Sequence, residues 1–117
     1  MVAVARAPVG VDIERVDLDS EIPWNVLHPT EVDLLKAHQD EARAHAFARL
    51  WSVKEAYVKA LRVGLREAES FAVRFVDDEN ASIRDAIAPV PVTEARTRWS
   101  PHGAGTFAVS VVLRPND

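Results

Sequence analysis

Residues 40–61 read Asp-Glu-Ala-Arg-Ala-His-Ala-Phe-Ala-Arg-Leu-Trp-Ser-Val-Lys-Glu-Ala-Tyr-Val-Lys-Ala-Leu. Alanine, the best helix former, recurs through the stretch, and no proline or glycine interrupts it. Phe47, Leu50, Trp51, Val58 and Leu61 follow the i, i+3, i+4, i+7 spacing of a buried stripe. Val53, Tyr57 and Ala60 form a second apolar flank, and Ser52, Glu55, Lys59 and Arg62 share what remains of the circumference. A helix apolar on two sides is expected at the centre of a fold, with its one charged strip lining a cleft. Gly64 is placed to end it in a left-handed conformation.

Working outward, Pro29-Thr30-Glu31 opens a shorter helix to about Ala37, with Val32, Leu34 and Leu35 as its apolar positions. Before it, Val2 to Ala5 and Val9 to Glu14 read as strands of a hairpin turning at Arg6-Ala7-Pro8. In the second strand Val9, Val11 and Ile13 alternate with Gly10, Asp12 and Glu14. The period of two is expected to send the aliphatic residues to the core and both carboxylates to the opposite face. After the long helix, Phe71, Val73 and Phe75 alternate up to a turn at Asp77-Asp78-Glu79-Asn80. Thr93 to Trp99 and Phe107 to Leu113 alternate on either side of a loop at Ser100-Pro101-His102-Gly103. Helices in the middle and strands at both ends predict an α+β fold: a mostly antiparallel sheet packed against a long central helix. With 117 residues, no internal repeat and no low-complexity segment, residues 1–117 read as one domain.

Composition narrows the function classes. The net charge of −4 gives no general attraction to nucleic acid. No apolar run reaches the roughly 18 residues of a membrane span, and Met1 to Arg6 carries no basic region before an apolar stretch, so no secretory leader is expected. Cysteine is absent, which removes disulfides and thiolate metal sites and agrees with a cytoplasmic location. Among the cationic residues, eleven are arginine and only Lys36, Lys54 and Lys59 are lysine. The two lysines that bracket Glu55 are either part of a solvated helix face or cations kept for their chemistry.

The chemistry-bearing candidates are Asp12 and Glu14 on a strand and Glu55 on the long helix. Three converging carboxylates repel unless something cationic sits among them. An oxygen-only set with no histidine or cysteine beside it suits a hard cation, magnesium first, which keeps several waters and bridges to phosphate oxygens. Lys59 lies one helical turn beyond Glu55 on the same face. Metal-bound phosphate beside a lysine suits transfer from a nucleotide-like donor. Each element alone is as compatible with a wet strand face or a solvated helix as with a site. His28, His38 and His45 have no ligand spacing with one another, and Trp24, Trp51 and Trp99 are read as packing.

Taken together, Gly10-Val11-Asp12-Ile13-Glu14, Trp51-Ser52-Val53-Lys54-Glu55-Ala56, Lys59, Gly64-Leu65 and the strand Ser70-Phe71-Ala72-Val73 resemble the signatures of the 4'-phosphopantetheinyl transferase superfamily. The likeness covers most of the chain. It is nearest to the second half of the surfactin-type enzymes, with holo-acyl-carrier-protein synthase as the single-domain relative. The resemblance implies magnesium-dependent transfer of 4'-phosphopantetheine from coenzyme A to a serine of an acyl or peptidyl carrier protein. It implies Asp12, Glu14 and Glu55 as magnesium ligands, Glu55 also as base for the serine hydroxyl, and Lys59 with Lys54 as the cations that hold coenzyme A phosphates. Such transfer is catalysed mainly by positioning and charge stabilisation.

This sequence also departs from the family pattern. Arg62 stands where many relatives have glycine, and no Ser-His-Ser segment is present. Ser100-Pro101-His102 is the nearest local substitute, and it reads as loop. The chain starts where the first half of a surfactin-type enzyme would end. The resemblance therefore implies a homo-oligomer, trimer first and dimer second, or reliance on a separate first-half domain. The other readings are a non-catalytic half-domain that binds carrier proteins and a plain α+β domain with metal-like carboxylates and no ligand.

Overall fold

The structure, a computed structural model, describes residues 9–19, 21–61, 70–85, 92–102 and 105–113. The expected strand at Val2 to Ala5 with its Arg6-Ala7-Pro8 turn, Arg62 and the Gly64-Leu65 pair lie outside the described residues. Strand β1 (Val9–Arg15) is followed by a 3-10 turn (Trp24–Val26) and helices α1 (Pro29–Lys36) and α2 (Asp40–Leu61). Strands β2 (Ala72–Phe75), β3 (Asn80–Arg84), β4 (Val92–His102) and β5 (Gly105–Leu113) complete the order. The five strands form one sheet in the order β1-β5-β4-β3-β2, every neighbouring pair antiparallel. The α+β architecture and both helices stand as the sequence predicts.

One face of the sheet is covered by α2. Leu50, Val53, Ala56 and Ala60 of the helix are fully buried against Val112 of β5, Ala95 of β4 and Ile83 of β3. Phe47, Trp51 and Val58 are only partly buried at the margin of this core. The axis of the buried stripe therefore runs through the predicted second flank, Val53, Tyr57 and Ala60. Ser52, expected on the charged strip, is buried instead. Its hydroxyl donates to the Arg49 carbonyl, and it shares a hydrogen bond with Ser110 of β5.

The largest departure concerns β1. Its alternation is as predicted, but its faces are exchanged: Gly10 and Asp12 are buried under α2, whereas Val11 is 39% and Ile13 59% exposed. Aliphatic residues ordinarily win the buried face. Here the deciding contact is at Gly10, where the strand backbone lies on the helix backbone. An added Cβ would sit 1.7 Å from the Ala56 carbonyl oxygen. Only the face that carries the glycine can approach α2 so closely.

Strand β3 was not foreseen, because Asn80-Ala81-Ser82-Ile83-Arg84 is poor in β-branched residues, although Ala81 and Ile83 alternate into the core. Ser100-Pro101-His102, read as loop, continues β4 and pairs with Phe107, Thr106 and Gly105. The β3 pairing reaches only to Arg96, so at Pro101 the strand has a neighbour on one side. A residue without an N–H is tolerated there.

Candidate active site

Because β1 crosses α2 with its Gly10-Asp12-Glu14 face inward, both strand carboxylates meet the charged strip of the helix. The Lys59 ammonium donates to Asp12 Oδ1 at 2.7 Å and to the Val11 carbonyl at 3.4 Å. Lys59 keeps half of its side chain in solvent, while Asp12 is 8% exposed. The hydrogen bond from Lys59 to Asp12 is the main cause that holds the ammonium above its ordinary range. Glu55 and Glu14 add to it through charge alone.

Negative charge is in excess here. Asp12 Oδ2 is buried with no donor of its own. The Glu14 carboxyl is pushed up to about 7, first by burial, then by its hydrogen bond to Asp12 and the charges of Asp12 and Glu55, with Lys59 opposing. Asp12, Glu14, Glu55 and Lys59 are thus brought into one electrostatic cluster. No three histidine or acidic side chains among the described residues close on a single point as an ion would require. The donors are nevertheless all oxygen, one of them buried without a partner, and together they fit a hard cation in character.

A raised carboxyl makes stability depend on pH. Glu14 binds its proton more tightly folded, at about 7, than unfolded, near 4.5. The stabilisation is complete below the unfolded value and is lost as pH rises through the folded one. The melting temperature is expected to fall between about pH 5 and pH 8, and Glu14→Gln should flatten that slope. A slope identical in the variant would remove Glu14 as its source.

Lys54 does not join the cluster. It is 1% exposed, and its ammonium donates to Glu31 Oε1 at 2.8 Å, Glu31 Oε2 at 2.9 Å and the Phe71 carbonyl at 2.8 Å. All three of its donor positions are used inside the protein, over the face of the Phe71 ring at 4.3 Å. Burial pushes its ammonium down from the ordinary range, and Glu31 counteracts this. The expectation that Lys54 holds a cofactor phosphate does not fit this geometry: the side chain is turned to the opposite side of α2 from Lys59. Glu31, to which the sequence assigned no role, also accepts from the backbone N–H of His28 at 2.9 Å and of Val73 at 2.8 Å. Its signal was there in part, since a glutamate three residues after a helix N-cap completes a capping box.

Residues 8–112 match the 4'-phosphopantetheinyl transferase superfamily. A 4'-phosphopantetheinyl transferase of Bacillus subtilis is 36% identical over 83 residues, 69% of this chain and 37% of that protein. The 4'-phosphopantetheinyl transferase HetI of Nostoc sp. is 32% identical over 82 residues, 67% of this chain and 34% of that protein. A solved ACPS–CoA complex from Chronobacterium ammoniagenes superposes with a TM-score of 0.55 at 15% identity, covering 92% of this chain and 98% of that one. That likeness is one of fold. The chain spans little more than a third of the length of these two curated relatives.

Proposed function

The chain belongs to the 4'-phosphopantetheinyl transferase superfamily, and from that membership we propose that it transfers 4'-phosphopantetheine from coenzyme A to a serine of an apo carrier protein. The observation that carries the reading is the meeting of Asp12 and Glu14 with Lys59 and Glu55 where β1 crosses α2. In the step, the serine oxygen forms a bond to the β-phosphorus of coenzyme A. The bond from that phosphorus to the oxygen bridging it to the α-phosphate breaks, and 3',5'-adenosine diphosphate leaves.

Magnesium, held by Asp12, Glu14 and Glu55, would draw charge from the pyrophosphate oxygens and fix their orientation. Lys59, half-exposed along its side chain, neutralises phosphate charge as the nucleotide departs. Glu55 receives the serine proton, directly or through water. Asp12 Oδ2, buried and without a donor of its own, is the oxygen left free for the cation.

The apolar surface that the fold leaves open favours a second component to the site. Phe47, Trp51 and Val58 of α2 pack, partly buried, against the core. The exposed apolar surface is instead the open face of the sheet, where Val11 and Ile13 stand beside half-buried Val109 and Val111. A concavity of about 740 Å³ runs along this face between those valines and Arg96 and Arg98. Burying such surface is favoured by roughly 25 cal/mol per Å² before association costs. We read the protein as a cytoplasmic homo-oligomer, trimer first and dimer second, or as the partner of a separate first-half domain. Light scattering coupled to size exclusion is expected to give a mass above one chain. A clean monomer that still turns over by itself would contradict it.

The activity is tested by incubating the protein with apo carrier protein, coenzyme A and magnesium and weighing the carrier. A gain of one phosphopantetheine that requires magnesium supports transfer. Carrier binding without mass gain would leave the half-domain reading, a non-catalytic module for carrier proteins.

A further inference from the structure

We propose that Gly10 is a positioning residue for the reaction: its missing side chain sets the distance between the carboxylates on β1 and the charged strip of α2. This rests on the transferase reading for its consequence, but not for its geometry. A Cβ at Gly10 would lie 1.7 Å from the Ala56 oxygen, 2.7 Å from the Ala60 nitrogen and 2.8 Å from the Ala56 carbonyl carbon. All three atoms are helix backbone, which cannot swing aside as a side chain can.

Real Cβ contacts stop near 3.0 Å, so one methyl group forces strand and helix apart by roughly 1.3 Å, the gap between that floor and 1.7 Å. Asp12 is two residues along the same strand face and Lys59 adjoins Ala60 in sequence, so the 2.7 Å contact between them lies next to the forced gap. Glu14 and Glu55, which feel each other's charge, lie along the same crossing. A misplacement of about 1 Å can cost on the order of 100-fold in rate when catalysis depends on orientation.

The strand is free to make this movement. Among the described strands β1 is at an edge and pairs with β5 alone. It can shift as a unit while β5, β4, β3 and α2 keep the core of Leu50, Val53, Ile83 and Val112. Gly10→Ala is therefore expected to fold, with its site spread apart.

The test compares Gly10→Ala with Val73→Ala, a core truncation in β2 at the far edge of the sheet. The first readout is geometric. Lysines 36, 54 and 59 are the chain's only ones, and Lys54 is buried. Brief acylation followed by mass mapping thus reports Lys59 against Lys36 as an internal reference. Releasing Lys59 from Asp12 should raise its labelling ratio roughly threefold in Gly10→Ala and leave it unchanged in Val73→Ala.

The second readout is magnesium binding by calorimetry, without coenzyme A, at a temperature where both variants are folded. The dissociation constant should rise about tenfold in Gly10→Ala and stay within about twofold in Val73→Ala, since displaced ligand shells cost that much. The third is kinetic: kcat per folded molecule falls about 100-fold while KM for the carrier holds, whereas simple loss of folded protein would leave that ratio untouched. Should Gly10→Ala not fold, Ala60→Val thickens the helix side of the same contact and is measured identically. A labelling ratio that rises in Gly10→Ala while the parent protein binds no magnesium would uphold the positioning role and reject the metal reading. A folded variant with an unchanged labelling ratio overturns the positioning role.

Discussion

Glu55→Gln is expected to lower carrier modification by about 1,000-fold or more, some 4 kcal/mol of barrier, with no loss of stability. Glutamine keeps the length and shape of the side chain, so packing around half-buried position 55 is preserved. What it loses is a charge and a basic oxygen. Both matter to the proposed step: the charge contributes to the cation site, and the oxygen receives the serine proton. Stability should move in the opposite direction to activity. Glu55 is one of the groups that push the Glu14 carboxyl up, so removing its charge relieves repulsion in the folded state and leaves the melting temperature equal or higher near neutral pH. Single-turnover transfer to apo carrier protein, measured beside a thermal melt of the same sample, checks both halves. Near-normal turnover in the variant would dismiss Glu55 from the chemistry, and a marked loss of melting temperature would mean that it is structural.

Much of this arrangement was legible in the residues, and what was not has identifiable causes. The boundaries of α2, Asp40–Leu61, follow from periodicity and alanine content. The acidic strand and its partner helix were recognisable as a pair only through their joint resemblance to the family's signatures, because each alone is as compatible with a wet strand face or a solvated helix. The face of β1 was not recoverable from hydrophobicity, which weighs Val11 and Ile13 against Asp12 and Glu14 and puts the valine inside. The glycine outweighed both, because close approach of two backbones needs an absent side chain and hydrophobic scales assign no worth to absence. Had Gly10 been read as the contact residue, the period of two would have placed Asp12 and Glu14 inward at once. Lys54 illustrates the opposite difficulty. The helical period already turns Lys54 about 100° away from Glu55, but the sequence does not show that its ammonium meets a buried carboxylate, Glu31, from another helix.

That buried lysine gives the second large expectation. Lys54→Met should destabilise the protein by about 3–5 kcal/mol at neutral pH, the usual cost of removing one member of a buried ion pair. Methionine fills nearly the same volume, so the loss is electrostatic rather than a cavity. It strands the Glu31 carboxylate, 0% exposed, with only the His28 and Val73 backbone N–H groups as donors. It also leaves the Phe71 carbonyl without the lysine that now donates to it. The three elements joined at this point are the start of α1, the start of β2 and the middle of α2, so the loss should reach the whole domain and not one terminus. Combining Lys54→Met with Glu31→Gln should cost less than the lysine change alone: glutamine carries no charge and can still accept one of the two backbone hydrogen bonds. Urea unfolding of the parent, the single variant and the double variant at neutral pH measures these differences. A Lys54→Met protein as stable as the parent at neutral pH would show that the pair contributes nothing net, as some buried pairs do when both partners are exchanged for apolar groups. The double variant separates that case from the present one, since only a stranded charge makes removal of the second partner beneficial.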